Sequence, residues 1–148
     1  MPSIIPDYVY TLFASMIVGT LLIYAFSISA LNMENEAEKQ QLRNLTKYVA
    51  TKSCELVSLA TTCNLSTSLR LSIPLIIGNQ EYWIQLGNDS FFAWVESGYG
   101  MTPYSAEQQV SIPAKVSASG TYISSSPTAI LECYANGTAT YLKLSGGS

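Results

Sequence analysis

The sequence predicts an α+β protein, a long N-terminal apolar helix followed by a small antiparallel β-sandwich or partly closed barrel. Three observations predict it. Residues 8–31 run for 24 positions without a charge; residues 42–59 carry apolar side chains at helical spacing; and from Leu69 onward the apolar spacing becomes two. The division is a helix over 1–62, apolar over 8–31 and amphipathic over 32–60, and an all-β head over 63–148.

The helix comes first. Pro2 and Pro6 each bar the preceding residue from comfortable helix, so regular helix is expected from about Pro6, a first-turn position that suits proline. Asp7 then lies in the first turn, where it either complements the helix dipole or serves as an assembly acid held near a neighbouring chain's amino terminus. Residues 8–31 are long enough to cross the apolar core of a bilayer. They are also apolar all round, as in Leu21, Leu22, Ile23, Tyr24, Ala25 and Phe26, so their surroundings must be lipid or other copies of the same helix. Ser27-Ile28-Ser29 offers a small-x-small pattern late in the run. No basic n-region precedes it, however, and the run exceeds a usual h-region, so a retained segment is expected over a cleaved signal. Ser15 with Gly19, and Ala25 with Ser29, are small residues four apart that let helices approach closely. A contact centred on Ser15 and Gly19, with Leu22 and Ile23 beside it, is the expected helix-packing face.

Past Leu31 the chain turns polar without Gly or Pro, so the helix is expected to continue into water to about Ala60. Leu31, Leu42, Leu45, Val49, Leu56 and Leu59 form a heptad-like seam, the face expected to dock the head. Cys54 and Cys63 bracket eight residues and are expected to form a disulfide at the helix end, with Cys133 a small buried hydrophobe. Lys39 is the first basic residue, so charge asymmetry says little about orientation. Asn44, Asn64, Asn88 and Asn136 speak to it instead. Each opens an N-x-[ST] sequon. Four of the seven asparagines qualify, against about 1.5 expected from the Ser and Thr content. Their use as glycosylation sites would put the head outside the cell.

In the head, residues 69–77 and 80–86 read as strands joined by Gly78-Asn79 in a type II′ turn, pairing Leu75 with Tyr82, Ile73 with Ile84 and Leu71 with Leu86. Pro74 marks the first of these as an edge strand. Residues 91–96 read as a central strand, 110–116 as a half-buried one, and Tyr122-Ile123 as a short one. Residues 129–135 and 138–144 flank Asn136-Gly137, a strong hairpin signal, with Leu131 expected opposite Leu142 and Ala129 opposite Leu144. Short strands at this spacing mean a sandwich or partly closed barrel.

The chain offers no recognisable chemistry. There is no histidine, which removes the usual general base and the triads built on it. No nucleophile elbow, P-loop, dinucleotide fingerprint, EF-hand or C-x-x-C pair appears. An enzyme is therefore not expected, nor a metal or cofactor. With net charge −3 and no basic run, nucleic acid is not an expected partner. Tyr82, Trp83, Phe91, Phe92, Trp94, Tyr99 and Tyr104 include candidates for a sugar-stacking platform, though alternation assigns about half of them to the core.

A long apolar helix free of charge but for Asp7, an amphipathic continuation and a Ser/Thr-rich, sequon-bearing β head together resemble the archaeal type IV pilins and the related archaellins. The resemblance covers the whole chain in layout. It implies a homopolymer of identical subunits, drawn from the membrane before assembly, with helices bundled in the core of an extracellular filament and glycosylated heads outside. Surface glycans or an S-layer are the further partners it implies. No basic class III signal peptide precedes Met1. Either the numbering starts at a processed end, or the chain is an unprocessed anchored relative such as the β-sandwich stator proteins of the archaellum, a membrane-anchored binding module.

Overall fold

A computed structural model describes residues 4–147, with side chains from Pro6 onward. The chain forms one helix, α1 (Ile4–Cys63), and eight strands among the described residues. These are β1 (Ser66–Leu71), β2 (Tyr82–Asn88), β3 (Ala93–Tyr99), β4 (Gln108–Ile112), β5 (Ser117–Ser119), β6 (Thr121–Ile123), β7 (Thr128–Ala135) and β8 (Thr140–Gly147). The predicted fold class holds, a long N-terminal apolar helix followed by two small, largely antiparallel sheets. Pro2 lies outside the described residues. The helix passes through Pro6, which costs nothing in a first turn because the missing N–H would have no partner there. The chain divides into two units, the first ending at Ala37 and the second beginning at Glu38.

The second unit takes in the C-terminal half of α1 with both sheets, ordered β1-β7-β8-β5 and β4-β3-β2-β6. One apolar core runs through it, from Leu42, Leu45, Val49, Leu56 and Ala60 of the helix to Ile84, Val95, Leu131 and Leu144 of the sheets. The seam is therefore narrower than its spacing predicts, because Leu31 and Leu59 are exposed. Thr46 and Ser53 take seam positions instead, each buried with its hydroxyl donating to the carbonyl four residues back. α1 ends in a C-cap at Asn64, whose φ of +51° is the left-handed conformation that closes helices.

The first predicted hairpin is corrected. Gly78-Asn79 does form a tight turn, and Ile77 and Gln80 exchange both backbone hydrogen bonds at 3.2 Å. Gly78 has φ +61°, the first central position of a type II′ turn. Beyond that bridge the two segments part. Pro74 offers no N–H to a ladder, its carbonyl accepts the Tyr82 hydroxyl, and β1 pairs with β7, placing Leu71 opposite Ala129. β1 is the edge strand Pro74 foretold, in the other sheet.

The second hairpin forms two residues out of the predicted register. Leu131 faces Leu144, Cys133 faces Leu142 and Glu132 faces Lys143. The turn centres on Gly137-Thr138, with Asn136 N–H bonded to Ala139 O at 3.0 Å. A turn centred on Asn136-Gly137 needs φ > 0 at both residues, whereas only Gly137, at φ +60°, has it here. A shift of two keeps every side chain on its face, so the core is unchanged.

Of the eight strands, β5 is the one that alternation did not mark. β5 runs parallel to β8, while β6 pairs with β2 in the opposite sheet. The crossing happens at Gly120, whose φ is +113°. Its carbonyl accepts from Leu86 N–H at 2.9 Å, and a Cβ there would collide with the Leu144 carbonyl. Only glycine permits the step. The central strand is Ala93–Tyr99; Phe91 and Phe92 stand exposed on the preceding turn, their N–H groups held by the Asp89 carboxylate.

The Cys54–Cys63 bridge is a further correction. All three cysteines are free. Because α1 runs through Cys63, the two residues sit nine positions apart on one helix, a rise of about 13 Å, against a reach of about 7 Å for a disulfide. Cys133 is buried in the core, as read.

Candidate functional site

The residues expected to pack helices lie on the first unit of the chain. From Pro6 through Leu31 every side chain except Gly19 is exposed, including Phe13, Met16, Ile17, Leu21, Leu22 and Ile23. Four hydroxyls in this stretch are turned inward on their own helix. Thr11 donates to Asp7 O at 2.8 Å, Ser15 to Leu12 O at 2.8 Å, Thr20 to Ile17 O at 2.9 Å and Ser27 to Ile23 O at 2.8 Å. A hydroxyl satisfied by its own backbone asks nothing of its surroundings, which is the condition for sitting in hydrocarbon or against another apolar helix. Ser15 and Gly19 share one face, and space beside Gly19 is open. Asp7 sits exposed in the first turn.

The four sequon asparagines are all exposed. Asn44 is mid-helix, its Oδ1 accepting from Gln40 Nε2 at 3.3 Å, and it lines a shallow hollow of about 360 Å³ with Tyr48, Pro74 and Ile77. The other three converge. Asn64, Asn88 and the Gly137-Thr138 turn of the fourth sequon line one polar hollow of about 730 Å³, together with Asp89 and Lys115. The pairing explains this: Ser66 lies opposite Tyr134, so the antiparallel register brings Asn64 to the level of Asn136. The Asn64 Oδ1 accepts the Gly137 N–H at 3.1 Å.

The aromatic set separates by burial. Tyr82 and Trp83 are in the core, Tyr99 and Trp94 are half-buried with Trp94 Nε1 donating to Glu96 Oε1 at 2.6 Å, and Phe91, Phe92 and Tyr104 are exposed on loops. Sequence reasoning missed a further pair. Tyr134 and Tyr141 lie opposite each other on β7 and β8 and are exposed. Their signal was the odd numbering of the apolar core residues on one strand and the even numbering on the other, which leaves both tyrosines on the outer face once the register is known.

Among the described residues no cluster of acidic or sulfur side chains has metal-holding geometry. Burial pushes the Cys133 and Cys54 thiols above their ordinary range, away from the thiolate a nucleophile needs.

The fold and the exposed helix define a class, a β-sandwich protein carrying one N-terminal helix long and apolar enough to be a candidate membrane anchor. Comparison with family models, curated proteins and solved structures finds no match.

Proposed function

We propose that this chain is the structural subunit of an extracellular pilus-like filament, its apolar helices bundled in the core and its β heads, glycosylated at sequons, forming the outer surface. One observation carries the reading: residues 8–31 present an exposed apolar cylinder in which Thr11, Ser15, Thr20 and Ser27 already donate to their own backbone. Each large apolar side chain left in water forgoes about 1.5–3 kcal/mol, so lipid covers this surface before assembly and identical helices cover it afterwards. Small residues at Ser15 and Gly19 favour the second covering, because a helix facing lipid alone gains nothing from them. The head fits an outer surface. Its few charges, Arg70, Lys115 and Lys143 against Glu81, Asp89, Glu96, Glu107 and Glu132, leave solubility to attached sugars and subunit contacts.

The second reading is a single-pass anchored β-sandwich module, a stator or adhesion component, in which the same helix faces lipid throughout; the exposed Tyr134–Tyr141 pair favours it. Electron microscopy separates the two. Filaments shed from cells or regrown on detergent removal support the subunit, and monodisperse particles under every condition support the anchored module.

A further inference from the structure

The outer face of the sheet β1-β7-β8-β5 is ordered in rows. Register places Ser66, Tyr134, Tyr141 and Ser117 side by side, and Ser68, Glu132, Lys143 and Ser119 in the next row. Two aromatic rings, 61% and 53% exposed, thus stand in the middle of two rows otherwise made of hydroxyls, one carboxylate and one ammonium, with Arg70, Ile130 and Ser145 in the row beyond. That combination matches a pyranose ring, which offers an apolar C–H face for stacking and a rim of hydroxyls for hydrogen bonds.

The tyrosines wall a hollow of about 570 Å³ whose lining also includes Glu132, Lys143, Ser119 and Asn88. The volume is that of a small-molecule site. Asn88 opens the sequon Asn88-Asp89-Ser90 and is exposed at the end of β2. Its Nδ2 makes one long contact, to Asp89 O at 3.4 Å, whereas Asn64 is tied to the Gly137 loop and Asn44 sits within the helix.

We propose that Asn88 carries an N-linked glycan of neutral pyranose units that folds into this hollow and stacks on Tyr134 and Tyr141, with Glu132 and Lys143 holding its hydroxyls. The inference rests on the reading of the head as extracellular. The modification is a glycosyl transfer in which Asn88 Nδ2 loses a proton and bonds to the anomeric carbon of a phosphate-activated glycosyl donor. The donor's C–O bond breaks, its phosphate leaves with the electron pair, and the transferase's base takes the proton. The folded-back glycan covers the one aromatic pair on this sheet face and keeps it from pairing with other chains.

The test is tyrosine nitration by tetranitromethane on the detergent-dispersed full chain purified from cells that make it, with peptide mass spectrometry as readout. Wild type is compared with Asn88→Gln, a surface change outside the core. Tyr104, 96% exposed and on a different loop, is the internal control. The expected result is a sugar mass on the Asn88 peptide, and nitration of Tyr134 and Tyr141 at least threefold faster in Asn88→Gln, with Tyr104 unchanged. A modified Asn88 with equal nitration in both proteins overturns the inference alone. An unmodified Asn88 overturns it and also counts against the extracellular head. Filament formation is not required in detergent, so failure of the filament reading leaves this outcome readable.

Discussion

Thr46 Oγ1 and Ser97 Oγ lie 2.6 Å apart in the core, joining α1 to the central strand β3 through a hydrogen bond buried from water on both sides. Thr46 donates its single proton to its own helix at Leu42 O, 2.7 Å away, which leaves the Ser97 hydroxyl as the donor between the two. Thr46→Val keeps the shape and strands the Ser97 hydroxyl, at a cost of about 1–3 kcal/mol. Ser97→Ala removes the other partner at a similar or smaller cost. The double variant is expected to be more stable than the sum of the single losses predicts, since no hydroxyl is then left unpaired. Denaturant unfolding of the four proteins measures this; strict additivity would mean the two hydroxyls do not interact.

Gly120 marks the point where the chain leaves one sheet for the other. Gly120→Ala is expected to cost more than about 3 kcal/mol or to prevent folding, because the backbone sits at φ +113° and the added Cβ meets backbone at Leu144, which has no room to move. Gly137→Ala, also at positive φ but with open space around it, is expected to cost only about 1 kcal/mol. Thermal melting of the two variants ranks them, and equal losses would contradict the packing argument.

Burial raises the phenol of Tyr82 well above its ordinary range, with the neighbouring Tyr122 adding to it, and burial raises Tyr122 and Tyr99 as well. A phenol is neutral when protonated, so the folded head holds these protons more tightly than the unfolded chain, whose tyrosines ionise near pH 10. The stability they contribute is complete below that pH and is lost as pH rises above it toward the folded values. Alkaline titration followed by tyrosinate absorption should show a late component from Tyr82, Tyr122 and Tyr99 that ionises only as the fold is lost. A single transition for all ten tyrosines, with no unfolding, would contradict the burial.

The helix was legible because 24 uncharged residues admit few alternatives, and the strands were legible from alternation. What pairs with what was less so. Residues 69–77 alternate well enough to pair with 80–86, yet Pro74 takes the chain out of the ladder, and the true partner of β1 lies 58 to 68 positions away, in β7. The register of the Asn136-Gly137 hairpin slipped by two, the one error that period-two patterning cannot detect, since both registers bury Leu131, Leu142 and Leu144. The cysteine bridge failed for a local reason: nothing in residues 55–62 stops a helix, so the loop it required never forms. The convergence of Asn64 with the Asn136 turn depended on that same unreadable β1–β7 pairing, whereas the placing of Tyr134 beside Tyr141 depended on the β7–β8 register that slipped by two.

The account stands most directly on the claim that residues 8–31 pack against copies of themselves. Gly19→Leu tests it, because leucine is a better helix former than glycine, nothing lies within 4 Å of the added Cβ in the single chain, and lipid accepts leucine freely. Membrane fractionation and electron microscopy are run on the same cells, with Leu22→Lys as the control that fails at insertion or assembly, a central cation costing about 2.5–3.5 kcal/mol per copy. The account predicts that Gly19→Leu inserts as well as wild type and forms no filaments. Filaments of normal length and number from Gly19→Leu would contradict it.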